Sequence, residues 1–227
     1  MARIREMIAA VAVFLCLVCL PSPAAIVLQV DSGDNGTFSV AGDDLAEASG
    51  GATFSFTGNA NFGSDPAKMI NGVIYGGGSH QSTAETLTPG AGSVLTVFLN
   101  TVASPAGYNV SSITTLTGAG DGQDHIRADH AYQIALRPVG GTFAHLIDVT
   151  EDRGEVGEIQ VRATDDTGAP LGVGIDAVRL SFTAGVDDQD NMYRELDVFG
   201  VPTPEPTATV LMILAGILIM NRRRGRG

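Results

Sequence analysis

Ala177-Val178-Arg179-Leu180-Ser181-Phe182-Thr183 decides the fold. Val178, Leu180 and Phe182 fall on one side of an extended chain, and Arg179, Ser181 and Thr183 on the other. Period two with one apolar face marks an antiparallel strand laid over a core. Tyr193–Phe199 repeats the pattern, with Leu196 and Val198 opposing Glu195 and Asp197. Working outward, further β-type runs are Ile26–Val30, Thr53–Thr57, Ser93–Leu99, Asn109–Leu116, Ala131–Arg137, Ala144–Val149 and Glu158–Ala163. Gly, Asp and Asn clusters separate them, as at Gly58-Asn59, Gly118–Gly122 and Asp165–Gly168. Such spacing predicts an antiparallel β-sandwich. One helical turn is expected at Asp65-Pro66-Ala67-Lys68-Met69, where Asp caps and Pro opens it. No fixed-period repeat occurs, so neither propeller nor solenoid is expected.

The 227 residues suffice for one such domain with segments at its ends. Arg3 and Arg5 precede an apolar run from Ile8 to Leu20, followed by Pro21-Ser22-Pro23-Ala24. This order predicts a secretory signal peptide over 1–24. Cys16 and Cys19 both lie inside it, so the mature chain is expected to contain no cysteine. At the other end Pro204-Glu205-Pro206 leads into an apolar stretch, Thr207 to Met220, and then Arg222, Arg223, Arg224 and Arg226. The stretch is short for a membrane span, but flanking arginines can snorkel and fix that end in the cytoplasm. The end segments hold six basic and two acidic residues, leaving 7 basic and 23 acidic residues between them. A middle so acidic excludes ordinary nucleic-acid binding, which needs a basic face.

The C-terminal order of Pro-Glu-Pro motif, short apolar helix and Arg cluster resembles the PEP-CTERM sorting signal of Gram-negative bacteria. That resemblance implies an exosortase as partner, transient anchoring in the inner membrane, cleavage near the motif, and delivery to the cell surface or a polysaccharide-rich matrix. The domain boundaries expected are therefore 1–24, 25–201 and 202–227.

Within 25–201, several segments resemble the discoidin-like (coagulation-factor type C) branch of galactose-binding-like domains. They are Asp65–Val73 with its Asn71-Gly72 loop, Asn109–Leu116, Ala131–Ile134, Gly174–Leu180 and the closing Tyr193–Gly200. The resemblance implies an eight-stranded jelly roll whose loops at one end bind glycans or other surfaces. It also implies a structural calcium between the glycine loop and the closing strand, held by Asn71, Glu195 and the Lys68 carbonyl. Asn71 stands where the family has Asp, which removes one ligand charge.

Other chemistry is weakly encoded. No Ser sits in a Gly-x-Ser-x-Gly elbow beside the four histidines, so a Ser-His-Asp hydrolase is not expected. Asp121, Asp124, His125, Asp129 and His130 offer metal-binding side chains, but in a Gly-rich region that reads more simply as a solvated loop. Asp187, Asp188 and Asp190 make a second acidic loop. The chain has no Trp, and Tyr132 and Tyr193 read as core, so glycan affinity is expected to be weak. Arg127 is the loop residue first in line as a ligand contact. The expected protein is a non-enzymatic, exported adhesion, carbohydrate-binding or matrix component. Its rivals are a secreted hydrolase of matrix glycans and a structural surface protein without ligand.

Overall fold

The structure is a computed structural model that describes residues 25–33, 37–40, 42–74, 86–118, 129–152, 158–184 and 191–205. The expected signal peptide, Pro206, the apolar stretch, the arginine cluster, Arg127 and the acidic loop at 187–190 lie outside them. Among the described residues no helix is long and apolar enough to cross a membrane.

Among the described residues nine strands form, each overlapping one of the β-type runs read from the sequence: β1 (Ile26–Gly33), β2 (Thr53–Thr57), β3 (Val94–Phe98), β4 (Tyr108–Thr117), β5 (His130–Pro138), β6 (Ala144–Glu151), β7 (Glu158–Asp165), β8 (Gly172–Phe182) and β9 (Tyr193–Pro202). The resemblance implied eight. All pairings are antiparallel. One layer runs β1-β7-β4-β9 and the other β6-β5-β8-β3-β2; the first residues of β8 also pair with β4 and join the layers. Leu95, Val97, Ile113, Ile134, Val161, Val178, Leu180, Leu196 and Val198 are all buried and fill the core. Burying side chains of this size contributes roughly 1.5–3 kcal/mol each.

Local signals act as their chemistry requires. Asp65 Oδ1 accepts from the Ala67 amide at 3.0 Å, Pro66 opens a 3-10 turn over Pro66–Ile70, and Met69 and Ile70 are buried. This turn packs against β9. Phe182, Tyr132, Tyr193 and His130 form an aromatic cluster with ring centroids 5.0–6.4 Å apart. His130 is fully buried: Nε2 donates to the Ile159 carbonyl at 3.2 Å, and Nδ1 lies 3.1 Å from the Thr115 hydroxyl. Burial holds the imidazole neutral, with its pKa down to about 3. Both ring nitrogens are thus committed inside the core.

Alternation fails in one informative place. In β9 the register against β4 shifts between Leu116 and Thr117, so that Arg194 bulges out of the pairing. Tyr193 and Leu196, three residues apart, therefore both reach the core. Arg194 is buried, donates from Nε to the Gly118 carbonyl at 2.6 Å, and pairs through Nη1 with buried Glu158 at 2.5 Å. Glu195 and Asp197, which alternation assigns to the side away from Leu196 and Val198, are buried as well.

Candidate functional site: three buried carboxylates around the closing strand

Asp44, Glu195 and Asp197 each present an oxygen, and these oxygens lie within 4.8 Å of one another. Two sit on β9. The third comes from a turn whose Leu45 amide donates to the Val198 carbonyl at 2.8 Å, so this segment covers part of the β9 edge. Asp44 Oδ1 accepts from the amides of Val198 at 2.6 Å and Ala46 at 2.8 Å, which fixes the carboxylate against the strand. Its Oδ2 is then left facing its neighbours.

Glu195 is 1% exposed, and its Oε1 receives only a long bond, 3.4 Å, from the Gly72 amide. Asp44 Oδ2, Glu195 Oε2 and Asp197 Oδ1 are buried with no hydrogen-bond partner among the described residues. An unsatisfied buried carboxylate oxygen is costly, and three together are more so. Burial is the first reason that the Glu195 carboxyl is pushed up to about 9, followed by the negative charge of Asp197. The same order, burial and then Asp44, raises Asp197 to about 7. Asp44 rises to about 6, again by burial, against the two amides that stabilise its anion. Without a counter-charge the cluster holds protons at neutral pH.

Gly72 has a specific part in this. Its φ is +70°, and an added Cβ would stand 2.7 Å from Glu47 Oε1. Only glycine brings this amide up to Glu195 while leaving room for Glu47.

Of the residues implied for calcium, Glu195 lies at the centre of the cluster. Asn71, at the end of the 3-10 turn, immediately precedes Gly72, whose amide reaches Glu195, and the Asn71 Oδ1 accepts from the Val73 amide at 2.9 Å within its own loop. Lys68 sits within that turn, its amide donating to the Asp65 carbonyl at 3.0 Å. Asp44 and Asp197 are the two members that sequence reasoning missed. Asp44 follows Gly42-Asp43 and reads as a solvated turn, and Asp197 reads as the wet face of a strand.

A set of hard oxygen donors, unpaired, buried and mutually repelling, fits a hard divalent cation. Calcium takes several carboxylate and backbone oxygens at such sites. Asp44, Glu195 and Asp197 would hold it. Positive charge would draw off the protons that burial otherwise retains.

No family model matches the sequence, and no curated protein matches it. Solved structures that align with it include family 32 carbohydrate-binding modules. The module of NanJ from Clostridium perfringens, solved with galactose, shares 18% identity at a TM-score of 0.46, covering 69% of this chain and 97% of that one. A module from a second C. perfringens protein, solved with a GlcNAc-α-1,4-galactose disaccharide, gives 12% and 0.43 over 69% and 93%. The module of AlyQ, solved with 4,5-unsaturated mannuronic acid, gives 13% and 0.38 over 64% and 93%. At such values the fold description rests on the strands and their pairing.

Proposed function

We propose that this chain is an exported, non-enzymatic β-sandwich that binds carbohydrate at the cell surface or in an extracellular matrix, and that calcium stabilises it through Asp44, Glu195 and Asp197. The observation that carries the reading is the buried carboxylate cluster between the Gly72 loop and the closing strand. The discoidin-like resemblance implied a cation at that locus. The carbohydrate part draws on the same resemblance and on the expected sorting of the chain by an exosortase through Pro204, Glu205 and Pro206. Carbohydrate-binding modules are also the class of protein with which the chain aligns.

Glu195 and Asp197 have raised pKa values, as the acid of a glycosidase would. Both are closed off from solvent, at 1% and 6% exposure. A carboxyl that cannot touch a glycosidic oxygen does not protonate it. This favours a cation site over a hydrolase.

A glycan array with the processed protein, run with calcium and with chelator, tests the reading. Binding of defined glycans without turnover is expected; release of reducing ends, lost on substituting an acid, would establish the hydrolase instead. Intact-mass analysis of surface-extracted protein is expected to show a chain that lacks the arginine cluster. Recovery with Arg226 attached would mean a plain membrane anchor.

A further inference from the structure

The layer β6-β5-β8-β3-β2 has an outer face opposite the core, and its residues follow from the register. Phe98 pairs with Ala177 and Ala177 with Arg137, while Thr96 pairs with Arg179 and Arg179 with Ala135. Ala135 and Ala177 are buried although they point away from the core, so something covers them. The cover is a row of rings and guanidinium groups. The Arg137 guanidinium lies 5.3 Å from the Phe98 ring centre and 5.4 Å from that of Phe143, and Arg179 lies 4.3 Å from Phe143 on its other flank. Arg137 is neutralised by Asp176 at 2.6 Å.

Arg179 is different. No carboxylate pairs with it among the described residues, and its Nε is buried without a hydrogen-bond partner. The half-buried guanidinium lies against the Phe143 ring, which offsets part of the hydration its Nε has lost. A lone guanidinium at the middle of a sheet face is unusual in a middle segment with 23 acids against 7 bases. The polar groups around it can recognise hydroxyls. Thr53, Ser55 and Thr57 are exposed on β2, and Gln133 is exposed on β5. Asp148, an acid on the β6 rim of this face, is held by His145 at 3.0 Å.

We propose that this face, centred on Arg179 with Phe98 and Phe143, is a binding site for an acidic saccharide bearing a carboxylate. Charge complementarity sets the anion, since a planar guanidinium donates to a planar carboxylate better than to any neutral hydroxyl. The adjoining exposed hydroxyls of Thr53, Ser55 and Thr57 set the saccharide, since they can exchange hydrogen bonds with sugar hydroxyls. The inference rests on the carbohydrate reading for its class of ligand, but it concerns a surface away from the loops and from the carboxylate cluster.

The test is calorimetric titration of the processed protein with a short oligogalacturonide and with its neutral galacto-oligosaccharide counterpart, both in chelator so that calcium cannot bridge ligand to protein. The acidic ligand is expected to bind more tightly, with affinity falling as salt is added. Arg179→Gln is expected to lose about tenfold or more in affinity, the size of one charge-assisted hydrogen bond, while still melting in a single cooperative transition above the titration temperature. Arg179→Lys is expected to recover only part of the loss. Unchanged oligogalacturonide binding in Arg179→Gln would overturn the sheet-face site alone. Failure of every saccharide, neutral or acidic, would instead sink the carbohydrate reading. Equal binding of poly-glutamate would show that the face reads charge without sugar, and would overturn the proposal too.

Discussion

Glu195→Gln separates the cost of the carboxylate cluster from its use. In chelator below pH 4.5 the Glu195 carboxyl is protonated in the folded and the unfolded chain alike, so there a neutral amide replaces a neutral acid. Stability there is expected to change by less than about 1 kcal/mol. The pH dependence is larger. A carboxyl raised from 4.5 to about 9 on folding favours the native state fully below pH 4.5 and loses that contribution as pH rises to about 9. At about 1.4 kcal/mol per unit this amounts to roughly 6 kcal/mol, so the cation-free wild type should weaken steadily through neutral pH and Glu195→Gln should weaken far less. Calcium reverses the slope. Binding at pH 7 displaces between about one and two protons, chiefly from Glu195 and Asp197, so affinity climbs at least ~tenfold per pH unit. At a hundredfold excess over Kd the native state gains about 2.7 kcal/mol, which for a domain of this size is a rise of roughly 5–10 °C in melting temperature. The assay is thermal melting at pH 6, 7, 8 and 9, with calcium or chelator at fixed ionic strength. A wild type that ignores calcium at pH 8, or a Glu195→Gln protein that keeps the full increment, would refute the reasoning.

Gly72→Ala places a Cβ against the Glu47 carboxylate on a left-handed backbone, and is expected to cost about 1–3 kcal/mol and to weaken the calcium response, both readable in the same melts. Arg194→Met leaves Glu158 buried beside an apolar chain, and a loss of about 3–5 kcal/mol is expected in denaturant unfolding; a neutral result would mean that the pair contributes nothing. His130 titrates near 3 when folded and 6.5 when unfolded, so stability is expected to fall as pH drops from 6.5 toward 3. His130→Asn is expected to flatten that limb of the pH–stability curve, at some cost at neutral pH.

Much of this architecture is legible in the chain without coordinates. Every strand lies where alternation and turn chemistry put it, because a pleated strand over a core imposes period two whatever its partners are. The Asp65-Pro66 turn is likewise local, since cap and proline act on their own neighbours. The direction of Arg179, opposite to Val178 and Leu180, follows from the same rule. What alternation cannot express is what covers a side once it is chosen. Asp197 sits on the side of β9 away from Leu196 and Val198, as its position in the run requires, yet a turn some 150 residues earlier closes over it and makes it a buried acid. Asp44 carries no local mark, since a Gly-Asp-Asp turn reads the same whether wet or buried. Phe143 and Phe98 lie 45 residues apart and meet through Arg137, which the β3-β8-β5 register sets in one row with Phe98 and Ala177. Period and turn chemistry act between near neighbours and can be read from order alone. Burial, unpaired charge and raised pKa values arise where distant segments exclude water together, and only the tertiary structure decides that.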